Sequence, residues 1–274
     1  MPLESRPLPW AGTDLTPGRL VAVAPGVRVL LAPNPGPMSL NGTQSYVLGA
    51  DGECLVVDPG PEDERHLALL AGVSPATVLV THRHADHTAG VDRLHELSGA
   101  PVRAAAAGFC RSGAPLRDGE TLGPAGELRV VSTPGHTSDS LSFHWTGERG
   151  SYLLSGDTIL GAGTTMLDHP DGSLRNYLGS LERLAGLAAS NPGTRVLPAH
   201  GGLGAGLAAV VNEYRAHRLA RLAEVRTAVA QLGDDVDAVT ARVYPDVPNG
   251  VLPAARLSIA AQLRYLREHA GTRE

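Results

Sequence analysis

The sequence predicts an α/β protein: a strand-rich body over residues 1–205, followed by a small, mainly helical module over 206–274. Three observations predict it. Short apolar β-type runs alternate with helical patterns through the first part. Histidines and aspartates stand directly after several of those runs, at the strand-to-loop junctions where α/β proteins place chemistry. After Gly206 the texture changes to long helical patterns, with no strand signal, internal repeat or low-complexity tract.

Residues 1 to about 25 are rich in Pro and Gly and read as a segment wrapping a surface. Strand patterns follow at 27–31, 45–48 and 54–57, the last two joined by Asp51-Gly52 as a hairpin turn and the third closed by Asp58-Pro59-Gly60. A helix is predicted over 62–71 and a continuous apolar strand over 77–80. Residues 88–98 read as a helix and 101–106 as a strand. Further strands are predicted at 128–132, 141–145 and 152–154, then a helix at 174–189 and a last strand at 195–197. The tail reads as one long amphipathic helix over 206–232 and two more at 236–243 and 253–269.

Composition narrows the function classes. The 274 residues are 42% hydrophobic and 19% charged, an ordinary globular balance rather than a disordered one. Aromatics are only 4%, so the core must come mostly from Leu, Val and Ala. Every basic residue is Arg, which excludes lysine Schiff-base chemistry. A net charge of -5 gives no overall footprint for nucleic acid, although a local groove could hide in the average. Cys54 and Cys110 have no CxxC spacing and read as two buried thiols in a reducing compartment. The N-terminus lacks a basic and then apolar leader, and no apolar run reaches the roughly 18 residues needed to span a bilayer. The expected location is cytoplasmic, with no membrane partner.

The informative stretch is Thr81-His82-Arg83-His84-Ala85-Asp86-His87, where four potential ligands stand within six residues after an apolar strand. Three imidazoles and a carboxylate packed this closely are costly to bury unless a cation sits among them. Zinc held by neutral imidazoles and carboxylates supplies that charge. One such cluster cannot close the coordination of two ions. Three more strand ends offer the missing side chains: Thr133-Pro134-Gly135-His136-Thr137, Ser155-Gly156-Asp157-Thr158 and Pro198-Ala199-His200-Gly201. Each places Gly beside the candidate ligand, where the backbone can turn tightly.

The order THxHxDH, PGHT, SGD and a late AHG resembles the metallo-β-lactamase superfamily over about residues 27–205. The resemblance implies an αββα sandwich, two mixed sheets face to face with helices outside. It implies that His82, His84 and His136 bind one metal, that Asp86, His87 and His200 bind a second, and that Asp157 bridges them. Asp58 is similar to the family's supporting aspartate near the first metal; a plain turn role before Pro59-Gly60 is the alternative. Pro33 to Met38, Leu40 to Tyr46 and Ser155 to Thr165 resemble the β-lactamase-like protein 2 branch, as does the tail, which that branch folds as a winged-helix-like domain.

The implied function is hydrolysis dependent on two metals, zinc above all, with iron or manganese as options. Two ions sharing a water lower its pKa from about 15.7 towards about 7, so that a bridging hydroxide can attack an ester, thioester or phosphodiester. Asp86 is expected to orient that nucleophile or move a proton, besides serving as a ligand. Ser138, Asp139, Thr164, Thr165, His169 and Tyr177 are candidates to line the substrate, each with a bland alternative: Ser138 and Asp139 as turn caps, Thr164 and Thr165 as loop stabilisers, His169 as a surface residue, Tyr177 as core. Three substrate readings compete: a small ester or thioester as in glyoxalase-type and polyketide-thioesterase relatives, single-stranded RNA as in the β-lactamase-like protein 2 branch, and a mono-iron persulfide dioxygenase needing mainly His82, His136 and Asp157. The tail from Gly201 holds nine Arg against eight acids, and the Arg row 215, 218, 221 and 226 reads as a solvated helix face.

Overall fold

The computed structural model describes residues 15–123, 127–147 and 150–270. Two sheets lie face to face. The first has six strands in sequence order: β1 (Leu20–Ala24), β2 (Val27–Leu31), β3 (Gln44–Leu48), β4 (Leu55–Val57), β5 (Thr77–Leu79) and β6 (Val102–Arg103). The second runs β11 (Arg195–Pro198), β10 (Gly150–Gly156), β9 (Leu141–Gly147), β8 (Glu127–Ser132), β7 (Thr121–Leu122). Helices α1 (Glu64–Gly72) and α3 (Val91–Ser98) cover the first sheet, and α4 (Leu174–Ser190) and α5 (Leu207–Leu232) cover the second. This is the αββα sandwich.

The layers follow from which residues alternate. Val29, Tyr46, Leu48, Leu55, Val57 and Leu79 point between the sheets and meet Leu128, Val130, Phe143 and Leu154. Their neighbours Leu30, Val47, Val56 and Val78 point outward and pack with Leu67, Leu70 and Leu94 of the helices. Strands buried on both faces read as unbroken apolar runs, which is how 54–57 and 77–80 appear in the sequence. Asp63 caps α1, its carboxylate accepting from His66 N at 2.8 Å.

Strand direction gathers the chemistry at one edge. β4 and β5 pair in parallel, as do β10 and β11. β8 and β10 both pair antiparallel to β9 and so run the same way. The C-terminal ends of β5, β8, β10 and β11 therefore open together. Cross-sheet bonds lock this edge: Leu141 N donates to Thr81 O at 2.8 Å, Gln44 N to Ala199 O at 2.8 Å, and Tyr46 Oη to Pro198 O at 2.6 Å.

Several expectations shift at element ends. β1 falls within 20–24, in the stretch read as an irregular wrap; residues 1–14 of that stretch lie outside the described residues. The helix expected over 88–98 splits into a one-turn α2 (Ala85–Thr88) and α3, because Ala89 and Gly90 turn between them. The strand expected over 101–106 is cut to β6, and β7 is an added strand of two residues. Cys54 is buried, but Cys110 is only half-buried beside the short 3-10 turn Ala107–Phe109.

The tail consists of α5, α6 (Val236–Val243) and α7 (Leu252–Ala270), and among the described residues no strand follows β11. Val225, Ala228, Val239, Ile259 and Leu263 give it a core of its own. Leu207, Val211, Tyr214, Leu222 and Ala261 also join the core under α4, so the tail is packed onto the sandwich. The buried face of α5 carries Arg218, which the sequence places in a solvated Arg row; Arg215 and Arg226 are exposed, while Arg218 is buried.

Candidate metal centre

Five imidazoles and two carboxylates converge at the open edge. His82 and His84 stand on the loop after β5, and Asp86 and His87 on α2 directly behind it. His136 follows β8, Asp157 follows β10 and His200 follows β11. The ring nitrogens His82 Nε2 and His84 Nδ1 are 3.0 Å apart, and His136 Nε2 lies 3.3 and 3.0 Å from them. In a second group, Asp86 Oδ2 is 3.2 Å from His200 Nε2 and 3.6 Å from His87 Nε2. Asp157 lies between: Oδ1 is 3.3 Å from His200 and 3.5 Å from His87, and Oδ2 is 3.7 Å from His136.

The donor set fits divalent cations. His87 Nε2, Asp157 Oδ1 and His200 Nε2 are buried with no hydrogen-bond partner, although each faces the others. Orphaned buried polar atoms of this kind are costly unless something charged joins them. In the other group three nitrogens meet edge to edge, an arrangement that protons alone cannot satisfy for all three. His82, His84 and His136, and Asp86, His87 and His200, each form a set of donor atoms close enough to hold an ion. The protein therefore has a candidate site for divalent metal.

Behind the donors, other groups fix each ring. Asp58 is buried at φ +56, a left-handed conformation that Asp tolerates better than most residues. Its Oδ1 accepts from Thr81 N at 2.7 Å; its Oδ2 accepts from Thr81 Oγ1 at 2.8 Å and lies 2.8 Å from His87 Nδ1. The resemblance placed Asp58 near the first group. Instead it touches His87 of the second group and reaches His82 only through Thr81 Oγ1, 3.1 Å from His82 Nδ1. His136 Nδ1 donates to Met166 O at 2.8 Å, and His200 Nδ1 to Gly42 O at 3.2 Å. His84 Nε2 lies 3.1 Å from Asp168 Oδ2, and that carboxylate also pairs with Arg83. These contacts turn Nδ1 of His84 and Nε2 of the other four rings toward the centre.

The metal-free electrostatics divide along the same line. Burial, reinforced by His87 and His136, holds His82 well below the ordinary imidazole range. Burial pushes His136 down to about 4 against the pull of Asp157. Burial opposes charging of His87 too, but Asp58, Asp157 and Asp86 outweigh it and raise the ring to about 10. His200 is likewise raised, Asp157 and Asp86 outweighing its burial. Asp86 is held below the usual carboxylate range, because His200 and His87 overcome its burial.

The other candidates are less directly placed. Tyr177 is fully buried core: its hydroxyl donates to Thr158 O at 2.6 Å, behind Asp157, so it does not line substrate. Thr165 is buried, with Oγ1 3.1 Å from His136 Nδ1, on the inner side of that ring. Ser138 is exposed, and its N and Oγ each donate to Asp171 at 2.7 Å. Asp139 accepts from Thr137 Oγ1 at 2.8 Å within the same turn. Thr164 is half-buried. His169 lies beside Arg264 and Arg267, where partial burial and those charges lower its pKa. Asp168 escapes a reading by motif, since it stands in a Pro/Gly-rich loop far along the chain from His84; an acid one residue before His169-Pro170 was the available signal.

An αββα sandwich with this donor set on one edge is the architecture of a metal-dependent hydrolase. The chain belongs to the metallo-beta-lactamase superfamily, whose family model matches residues 38–200. It is 32% identical over 254 residues to a Caenorhabditis elegans protein named beta-lactamase-like protein 2 homolog, covering 86% of this chain and 82% of the relative. It is 35% identical over 191 residues to the atrochrysone carboxyl ACP thioesterase of Aspergillus fumigatus, covering 65% of this chain and 57% of the relative. A beta-lactamase domain protein from Burkholderia ambifaria superposes with a TM-score of 0.80 at 24% identity, over 96% of this chain and 92% of its own; at that identity it carries the fold. Among the described residues, no helix is long and apolar enough to cross a membrane.

Proposed function

We propose that this chain hydrolyses a small ester or thioester with two divalent cations, zinc in the first instance. His82, His84 and His136 would hold one ion, and Asp86, His87 and His200 the other. The observation that carries the pair is Asp157, whose Oδ1 faces His87 and His200 while Oδ2 faces His136. Bound at these groups, divalent cations supply Lewis acidity, which makes hydroxide available at neutral pH and offsets charge developing on an oxyanion. Asp58 keeps the His87 ring oriented, and Asp168 does the same for His84. Asp86, whose side chain is about a third exposed, lies on the open side of the centre, where its carboxylate can take up and hand on a proton. Similarity to a named thioesterase supports the acyl substrate class.

The tail argues for a small substrate over RNA. Arg221, Arg256, Arg264 and Arg267 pair with Glu224, Asp237, Glu268 and Asp234, and Arg218 is buried. Arg215, Arg226 and Arg242 remain exposed, but Glu213, Asp235 and Asp246 stand against them in the same module. The described tail is therefore near neutral and offers little excess of positive charge to a phosphate backbone. The test is elemental analysis with an acyl panel. Two ions per chain and thioester turnover are expected, and Asp157→Ala should lose metal and activity together. One iron per chain, or salt-sensitive cleavage of single-stranded RNA that is lost with residues 206–274, would replace this reading. Full metal occupancy and normal turnover in Asp157→Ala would overturn the bridging role.

A further inference from the structure

Three side chains of the C-terminal helices converge on one short segment of the sandwich. Tyr214 of α5 accepts from Leu160 N at 2.8 Å through its hydroxyl and donates to Gly163 O at 3.1 Å. Arg218, one turn further along α5, donates to Thr165 O. Ser258 of α7 accepts from Leu167 N at 3.1 Å through its hydroxyl. The segment from Leu160 to Asp168 has no helix or strand of its own, so its backbone polar groups need partners from outside. Those partners come largely from the tail.

The same segment carries the groups that aim two histidines. Met166 O and Thr165 Oγ1 meet His136 Nδ1 at 2.8 and 3.1 Å. Asp168 Oδ2 meets His84 Nε2 at 3.1 Å, and Asp168 N donates to His136 O at 3.0 Å. The rings of His87 and His200 are aimed by Asp58 and by Gly42 O, neither of which belongs to the segment. The segment reaches this group only at the backbone, where Gly161 N donates to His200 O at 2.8 Å. Arg218 stands out further. It is a buried cation whose guanidinium lies 5.0 Å from the Tyr177 ring centroid, and its Nε has no partner. Keeping such a charge in the interior is costly, and a leucine would fill the site with less penalty. Its bond to Thr165 O gives it a use that packing does not.

We infer that the C-terminal helices position the first metal group, with Tyr214, Arg218 and Ser258 clamping residues 160–168 so that His136 and His84 point correctly, while the second group, whose rings are aimed from elsewhere, depends on them less. This rests on the two-group reading above. The three are positioning residues: none touches a donor atom. The tail is thereby a working part of the metal centre, in addition to any part it takes in substrate binding.

The test is zinc competition against a chelator on the full chain, counting ions per chain at each chelator concentration. In wild type two ions are expected. Arg218→Leu should release one of them at a chelator concentration up to about 10-fold lower, and should shift the second midpoint less. That is the low end of the loss seen when a partner bonded directly to a metal ligand is removed, because Arg218 acts through Thr165. Ser258→Ala, which deletes one hydroxyl, should shift the same midpoint less, and Arg218→Lys should restore part of it. In a background with both His84→Ala and His136→Ala, which removes both rings the clamp aims, Arg218→Leu should add no further loss at the first group. Arg221→Leu removes a guanidinium that stacks on Tyr244 within the tail at 4.5 Å, and should lower thermal stability without moving either midpoint. Unchanged midpoints in folded Arg218→Leu and Ser258→Ala, or equal shifts of both ions, would overturn the clamp. Fewer than two ions in wild type would overturn the two-group reading itself, and the clamp with it.

Discussion

At the scale of single residues, Asp58 shows how one carboxylate organises a centre. It closes β4 in a left-handed conformation, accepts both polar hydrogens of Thr81 and touches His87. Asp58→Asn keeps the shape and the left-handed tolerance but removes the negative charge behind His87. The expected result is a folded protein with about 10–100-fold weaker metal at the second group. Asp58→Ala should in addition leave the buried Thr81 N–H unmatched, costing roughly 1–3 kcal/mol of stability. Chelator competition beside thermal unfolding separates the two; equal metal affinity in wild type and Asp58→Asn would remove the role assigned here. The turn Asp58-Pro59-Gly60 was readable in the sequence, and so was the acid. Which ring it touches was not, because His87 reaches it across 29 residues and through a one-turn helix that no periodicity announces.

Among the elements, the donor-bearing strands and the long helices were the most legible, and the short pieces α2, β6 and β7 the least. Three of the four donor-bearing loops follow strands with buried apolar runs, β5, β10 and β11, where few polar positions blur the pattern. β8 is legible instead by alternation, Glu127 and Arg129 facing out. The supporting contacts were not legible. Asp168 meets His84 across 84 residues, and Ser258 meets Leu167 across 91, so no local pattern connects them. Gly156 marks where two such strand ends are forced together. It has φ +50, and a Cβ there would stand 2.8 Å from Thr81 Cβ and Oγ1. Gly163 has φ +68, yet a Cβ there would meet nothing within 4 Å. Gly163→Ala should therefore cost only the backbone term, about 1–2 kcal/mol. Gly156→Ala should cost that plus ~1–3 kcal/mol of overpacking, and should disturb metal uptake by pushing on the Thr81–Asp58 pair. Urea midpoints for the two variants decide it; equal losses would mean that the two strand ends have room to part.

For the whole molecule, the metal-free chain is a balance of charges that metal must displace. His87 and His200 are raised above the ordinary imidazole range by Asp58, Asp157 and Asp86, whereas His82 and His136 are held neutral by burial. Protonated rings pair with those carboxylates, so the fold without metal is supported by protons at the second group. The sign follows from the raised value. A ring at about 6.5 when unfolded and about 10 when folded contributes stability that is fully present below pH 6.5 and is lost as pH rises through 10. A metal ion needs the same ring neutral, and must expel the proton to bind. Metal therefore adds least at low pH and most as pH climbs from about 6.5 towards 10. At free metal a hundredfold above its dissociation constant the gain is about 2.7 kcal/mol per ion, and the dissociation constant itself tightens as the proton leaves. The melting-temperature difference between zinc-loaded and chelator-stripped protein should widen with pH across that window, with proton release on loading recorded by calorimetry in buffers of different ionisation heat. In His87→Gln, which cannot hold the proton, the widening should shrink. A difference independent of pH in wild type would mean that the second group is already neutral before metal arrives.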